Sequence, residues 1–484
     1  MKARLKSIAS ESVVYGLSGI ISRFLTLFLV PVYTRVFTPT DYGVLSLVSS
    51  SISVVGIFVV LGLDGAAHRW FWDAEDGVDR RRSIASWAWC QLTVAAAIGA
   101  GVFLLGDQLA NWITERRDAG TYFRLAAITL PLMTFGTVLQ NWLRMQRRPW
   151  STMVYSLGTT VLTASVTLLL VVALRWGLTG VYVAQVIGYA VSSLIALLLL
   201  RDWISPAYAR LARLKEMLRY ALPMIPAGLA YWVVGFADRY FVQAYTDTAQ
   251  VGLYSIGSSL AGGIALITGA FQQAWPPFSL SIHTQSDSRD TYAAVFLYYL
   301  WFTCALSAGL ALFAPEIIRV LATKQYAGAS SVVGILALSW VMIGLTYIAA
   351  TGPAIVKTTR PTGIAMVSAA LLNIALNFIL VPHYGKVGSA VATLISQSLT
   401  PIILFRRAQQ LYHIPYRFGA GAAIVGMTLA VVAASAQFGD VIGWSTIALK
   451  VGLVALYVPL FFLAHLATPR QVSVALQQAA ARLR

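Results

Sequence analysis

Charged side chains within or at the edges of long apolar runs include Arg23, Asp64, Asp238 and Arg239, besides Glu11 and Lys450. Arg23 stands near the middle of the first run. A membrane interior charges ~2.5–3.5 kcal/mol for an arginine at that depth, and such residues almost always face a cavity or a partner. Snorkelling is a poor escape, because either interface lies about 13 residues, or roughly 20 Å, away. Arg23 is therefore expected either to meet a ligand in a cavity or to pair with a buried carboxylate. Asp238 is the carboxylate deepest in a run. It can pair with Arg23, hold Arg239 through a neighbouring helix, or bind a coupling cation. Arg239 itself projects about 100° around the helix from Asp238, so the two are not expected to share a face. Asp64 ends the second run, one helical turn from His68, and reads as a helix-end residue at the membrane surface.

The elements that carry these groups are expected to be membrane helices. The 484 residues are 58% hydrophobic and only 11% charged, against roughly 25% charged in soluble domains. Apolar runs of membrane-spanning length recur throughout. Fourteen are read: 12–37, 41–63, 83–106, 121–143, 152–174, 178–200, 219–245, 249–275, 291–313, 327–356, 362–381, 386–405, 416–437 and 441–466. The first follows Lys2, Arg4 and Lys6 but is too long for a cleaved leader and contains Arg23, so it is read as an uncleaved span. The fold class is an all-α integral membrane protein.

Two cysteines, Cys90 and Cys304, and five scattered histidines offer neither a disulfide framework nor a metal cluster. The net charge of +17 is a matter of location. Lys and Arg on the loops sharing a side with the termini outnumber those opposite about three to one. The positive-inside rule puts both termini in the cytoplasm, and the excess favours anionic lipid head groups rather than nucleic acid. The acidic loop Asp73, Glu75, Asp76 and Asp79, followed by Arg80, Arg81 and Arg82, reads as a solvated, self-paired charge run. No nucleotide-binding loop accompanies it.

The chain also repeats itself. Gly43 and Ser46 recur as Gly252 and Ser255, Arg148-Pro149 as Arg360-Pro361, and Gly177, Gly180, Val183 and Ala184 as Gly385, Gly388, Val391 and Ala392. The offsets are 209, 212 and 208. Six spans separate equivalent points, so the two halves run in parallel, the build of a transporter with its site between the repeats. The expected organisation is a six-helix lobe over 1–200, an amphipathic cytoplasmic linker over 201–218, and a second six-helix lobe over 219–410. Two additional spans follow over 411–470, then a cytoplasmic tail over 471–484. Within the linker, Leu211, Leu214 and Leu218 share one helical face, which suits a helix lying on the leaflet. Pro31, Pro223 and Pro226 are candidate hinges, or else static kinks.

Several segments carry a family likeness. The first span ends Leu29-Val30-Pro31-Val32-Tyr33-Thr34-Arg35-Val36-Phe37-Thr38-Pro39 before Asp41-Tyr42-Gly43. The second ends Gly62-Leu63-Asp64-Gly65-Ala66. Then come Leu222-Pro223-Met224-Ile225-Pro226, Ala237-Asp238-Arg239-Tyr240-Phe241, Ala274-Trp275-Pro276-Pro277-Phe278 and Val381-Pro382-His383-Tyr384-Gly385-Lys386-Val387-Gly388. In order and spacing these resemble the polysaccharide-export flippases of the multidrug/oligosaccharidyl-lipid/polysaccharide exporter superfamily. The resemblance implies two lobes around a central cavity and alternating access. It also implies a job, moving undecaprenyl-diphosphate-linked oligosaccharide from the cytoplasmic to the periplasmic leaflet of the bacterial inner membrane, for O-antigen, capsule or exopolysaccharide. Under that reading Arg23 is the candidate pyrophosphate contact, since a guanidinium fork suits phosphate oxygens. Asp238, Asp64 and Arg239 become candidates for cavity charge or ion coupling. Tyr15, Tyr231 and Trp232 could stack on sugar faces, or serve only as packing or interface aromatics. No cofactor is expected beyond a coupling proton or Na+. The expected partners are the lipid-linked substrate, membrane lipids and a polysaccharide polymerase. A lipid II flippase and a multidrug cation antiporter of the same superfamily stay open as alternatives. An integral-membrane enzyme fits poorly, because the non-cytoplasmic loops are short.

Overall fold

A computed structural model describes residues 28–438 and 443–463, together with positions 14, 18, 19, 21, 22, 24 and 25. Arg23, Tyr15 and part of the first predicted span lie outside the described residues, as does the tail 471–484. The first helical segment within them is α1 (28–36), which contains Pro31. There follow α2 (Pro39–Val60), α3 (Leu63–Asp73), α4 (Gly77–Leu104), α5 (Gly106–Thr114), α6 (Gly120–Met145), α7 (Pro149–Leu168) and α8 (Gly177–Leu200). The linker and seventh span form α9 (Leu211–Ala221), α10 (Ile225–Trp232) and α11 (Asp238–Tyr245). Beyond them run α12 (Thr248–Ser281), α13 (Ser288–Leu312), α14 (Ala314–Leu321), α15 (Ser330–Ala349), α16 (Thr351–Ile355), α17 (Arg360–Leu411), α18 (Phe418–Phe438), α19 (Trp444–Ala455) and α20 (Tyr457–Leu463).

Twelve helical stretches among the described residues are long and apolar enough to cross a membrane. One of them, α17, turns at Gly385 (φ 52°, ψ −135°), so it holds both the 362–381 and 386–405 spans. That left-handed φ is open to glycine at little steric cost. With the first run, this accounts for the about fourteen spans expected.

The chain divides into two compact units. The first comprises Met1–Ser255 with Val381–Lys386, and the second Ile256–Leu380 with Val387–Arg484. In the first unit, Leu63, Phe71, Ile84, Trp87, Val138, Trp142 and Leu200 form a buried cluster that also takes in Met217 and Ala221 of α9. Of the linker-helix face expected to lie on the leaflet, Leu214 and Leu218 pack partly against this cluster while Leu211 is 67% exposed. The helix's polar residues hold it there. Arg213 pairs with Asp79 and also with Glu216 at 3.5 Å. Trp70 Nε1 donates to Glu216 at 3.4 Å. The Arg210 amide donates to Ser86 Oγ at 2.9 Å. The acidic loop is therefore not self-paired with Arg80, Arg81 and Arg82. Asp79 holds the linker, the Asp76 side chain caps α4, and Asp73 meets Arg69 at 3.4 Å.

In the second unit, Phe296, Phe405, Tyr416 and Phe418 pack with centroids 5.0–5.8 Å apart, edge to face except for the tilted Phe296–Tyr416 and Tyr416–Phe418 pairs. The last span is tied in by polar contacts, and Thr428 of α18 lies 2.7 Å from its Tyr457 hydroxyl. Trp301 Nε1 donates to the Tyr457 carbonyl at 2.7 Å. Lys450, fully buried, reaches Glu316 at 2.6 Å.

Candidate functional site

The seventh span is not a regular helix. It passes from a 3₁₀ turn at Leu222–Met224 into α10, then through a π-helical turn at Val233–Ala237, and re-forms as α11 at Asp238. Pro223 and Pro226 occupy the first break, where missing amide donors weaken the helical ladder. The π turn ends directly before the Asp238-Arg239 pair, and such turns cluster at functional sites.

This local geometry overturns the expectation that Asp238 and Arg239 avoid each other. Arg239 Nη1 folds back to Asp238 Oδ1 at 3.0 Å and to the Gly235 carbonyl of the π turn at 3.0 Å. The Arg239 amide also donates to Asp238 Oδ1, at 2.9 Å. Adjacent helical residues seldom meet. Here a long side chain returns along the axis to a carboxylate turned toward it. Asp238 is only 3% exposed, and its second oxygen accepts from the Tyr254 hydroxyl. Burial of both charges is tolerable because each is paired and hydrogen-bonded.

Arg239 extends this network to α2. Its Nε donates to Ser46 Oγ at 3.0 Å, and Ser255 Oγ donates to the same oxygen at 2.7 Å. The position of α2 is set by a capping box. Thr38 Oγ1 accepts from the Asp41 amide at 3.2 Å while Asp41 Oδ2 accepts from the Thr38 amide at 3.2 Å, with Pro39 at the first helical position. Arg116 Nη1 adds a contact to Asp41 Oδ1 at 3.2 Å.

Beside the cluster lies a cavity of about 710 Å³ within the first unit. Trp232, Tyr240, Ser51, Gln243, Trp112 and Glu115 supply its aromatic and polar lining. Ser51 Oγ and Tyr240 Oη are 2.7 Å apart, and Trp232 Nε1 donates to the Ser50 carbonyl at 3.2 Å. Gln243 Oε1 is buried without a hydrogen-bond partner among the described residues. Rings set beside hydroxyls and a free amide acceptor can stack on, and hydrogen-bond to, a polyhydroxylated ligand. Of the three predicted aromatics, Trp232 lines this cavity, while Tyr231 is 62% exposed and outside the lining. Tyr15 lies outside the described residues.

Asp64 is not a solvated helix end. Its Oδ1 accepts from Gln91 Nε2 at 2.8 Å and Trp87 Nε1 at 3.2 Å, and its Oδ2 from Asn141 Nδ2 at 3.2 Å. The structure thus separates the two carboxylates by chemistry. Asp238 is charge-paired, and Asp64 is held by three neutral donors. Sequence reasoning missed those donors, along with Tyr254, Tyr240, Ser51 and Gln243. It also missed a buried network in the second unit, in which Asn373 donates to Ser396 at 3.1 Å, Ser389 to Asn377 at 2.7 Å, and Asn377 to Asn373 Oδ1 at 3.2 Å. Ser46, Tyr254 and Ser255 did carry a signal, since they sit inside the repeated motif.

By fold and site the chain is a helical membrane protein with a charged cluster braced between two spans, beside a cavity. The profile of a family described as polysaccharide biosynthesis protein matches residues 8–283, and the chain belongs to that family. A search of curated proteins returned no match. The fold is similar to that of a lipid II flippase MurJ in its inward closed conformation (15% identity, TM-score 0.75, covering 94% of this chain and 100% of that one). It is also similar to an inward-facing multidrug resistance MATE family transporter of the MOP superfamily (16%, 0.66, 84% and 99%). A third similar structure is a MATE transporter in complex with MaL6 (14%, 0.57, 87% and 97%). At these identities the likeness is one of fold.

Proposed function

We propose that this protein flips undecaprenyl-diphosphate-linked oligosaccharide from the cytoplasmic to the periplasmic leaflet of a bacterial inner membrane, by alternating access, for surface-polysaccharide assembly. The observation that carries the reading is the cavity lined by Trp232, Tyr240, Ser51 and Gln243 next to Arg239, in a chain of the polysaccharide biosynthesis family. A sugar head needs rings and hydroxyls. A diphosphate needs fixed guanidinium charge, which Arg23 supplies from the first span and Arg239 from the seventh. Asp238 and Asp64 serve as coupling carboxylates for a proton or Na+. The proline break and π turn of the seventh span are the hinge, and Pro31 is a further hinge point in the first. Both termini face the cytoplasm, and the product passes to a polymerase.

The test is reconstitution. In liposomes, the purified protein is expected to move a fluorescent undecaprenyl-diphosphate-sugar between leaflets, and Arg23→Ala to abolish movement while still inserting. Transport of organic cations without lipid movement would instead make it a cation antiporter. Movement of lipid II alone would narrow it to peptidoglycan precursors.

A further inference from the structure

A second cavity in the first unit, about 680 Å³, lies among α6, α7 and α8, and shares no lining residue with the cavity above. Its walls are apolar through most of their length: Val154, Leu162, Val191, Ile195 and Leu199. Its polar groups deeper in are satisfied by one another. Tyr155 Oη lies 2.7 Å from Ser192 Oγ, and Thr159 donates to the Tyr155 carbonyl at 2.9 Å.

One end differs. Arg148 and Ser151 lie there at the start of α7, whose first amides have no partner within the helix. Trp142 also lines the cavity. It is only 8% exposed, and its Nε1–H is buried with no acceptor among the described residues. An indole donor without an acceptor is a costly arrangement unless a ligand supplies one. No carboxylate lines the cavity, and none pairs with Arg148 among the described residues.

We propose that this groove binds one anionic phospholipid of the leaflet on the arginine-rich side. The phosphodiester sits at the start of α7, against Arg148 and Trp142 Nε1–H, and an acyl chain runs down the groove. A helix N-terminus with an adjacent guanidinium is suited to a phosphate oxygen. The dimensions agree. From Trp150 to Leu162 the groove follows α7 for about 18 Å at ~1.5 Å per residue, close to one leaflet's share of a ~30 Å hydrocarbon core. A single guanidinium matches a monoanionic phosphodiester better than a diphosphate. The tail of the transported lipid is therefore the less fitting occupant.

Gly158 gives a clean probe. A Cβ added there meets nothing within 4 Å and Gly158 lines the cavity, so Gly158→Phe places its ring in the groove. Full-length protein in detergent is incubated with phosphatidylglycerol or phosphatidylcholine and the retained lipid read by native mass spectrometry. Wild type is expected to retain phosphatidylglycerol preferentially. Arg148→Gln is expected to lower its retention about tenfold, the loss of one charge-assisted contact, and to lower that of phosphatidylcholine less, because its ammonium already offsets the phosphate charge. Gly158→Phe is expected to remove both. Arg360→Gln, the same loss of charge at the equivalent helix start of the second repeat, is expected to change neither. Equal retention of the two lipids by wild type would overturn the proposal. So would unchanged phosphatidylglycerol in Gly158→Phe, or Arg148-dependent displacement by undecaprenyl phosphate. Thermal unfolding separates loss of lipid from loss of fold. If Arg148→Gln does not fold, Gly158→Phe decides alone.

Discussion

Gly43 and Gly252 press backbone against backbone in a locally two-fold arrangement. A Cβ on Gly43 would stand 1.9 Å from the carbonyl oxygen of Thr248, and one on Gly252 would stand 1.9 Å from that of Pro39. Each carbonyl belongs to the residue four positions before the other glycine. Three residues on, Ser46 and Ser255 meet at 2.7 Å. These pairs are the repeat's own equivalents, so the duplicated motif folds back onto its copy. Only glycine permits that approach, which explains why this part of the repeat survives in the sequence.

Under the proposed alternating access this contact is a seam that closes the side of the membrane away from the arginine-rich loops. Gly43→Ala and Gly252→Ala are each expected to force it apart. Overpacking of this kind costs ~1–3 kcal/mol, a shift of roughly 5- to 150-fold toward the parted state. With Cys90 and Cys304 replaced, maleimide labelling of Ser46→Cys from the non-cytoplasmic side should accelerate in either alanine variant. Unchanged labelling would count against the seam.

Arg239 is the member of this seam with most to lose. It holds Ser46, Gly235 and Asp238 at once, and its side chain is 11% exposed. Asp238→Ala leaves that guanidinium buried without its counter-charge, which costs about 3–5 kcal/mol. Removing both partners relieves the stranded charge, so Asp238→Ala/Arg239→Leu is expected to be more stable than Asp238→Ala alone. Denaturation midpoints of the two single variants and the double variant measure the coupling. Strict additivity would show that the pair contributes nothing as a pair.

The spans were legible because a bilayer demands long apolar helices, and their turns were legible because glycine and proline mark them. The Asp238–Arg239 contact was not, since the argument from 100° per residue treats side chains as short and helices as regular. The π turn at Val233–Ala237 and the reach of arginine defeat both assumptions. Asp64 misled for a related reason. Its position at a span's end suggested water, yet Gln91 and Asn141, distant in sequence, reach it from α4 and α6. The amphipathic linker displayed its apolar face plainly, but periodicity does not say whether lipid or protein covers it. Here Leu214, Met217 and Leu218 pack into the buried cluster that holds Phe71 and Trp142.

Asp64 offers a sharper test of the polar interior. Replacing it by alanine leaves three donors without their acceptor, on Trp87, Gln91 and Asn141. Each unsatisfied buried group costs ~1–3 kcal/mol, so Asp64→Ala should lower the unfolding temperature markedly. Asp64→Asn retains an acceptor oxygen but places a donor against donors, and should fall between. If Asp64→Asn behaves as wild type in stability while transport fails, the carboxylate's charge matters to the proposed coupling rather than to the fold. If stability and transport fall together, its role is structural.

Lys450 and Glu316 make the final case, because they link an added span to the body of the second unit. Lys450 is buried, and Phe313 and Phe438 lie about 6 Å from its ammonium group. Glu316 Oε1 accepts its proton at 2.6 Å, while Oε2 is buried without a partner among the described residues. Lys450→Met therefore strands a carboxylate on α14 and should cost about 3–5 kcal/mol. The double variant Lys450→Met/Glu316→Gln removes both charges and should recover most of that loss, as apolar replacements of buried ion pairs often do. Limited proteolysis in detergent reads the local consequence. If the pair anchors α19, cleavage in the segment between α18 and α19 should accelerate in Lys450→Met and return toward wild type in the double variant. Equal cleavage rates in all three proteins would place the anchoring of the added spans in the Trp301–Tyr457 contact and its aromatic neighbours instead.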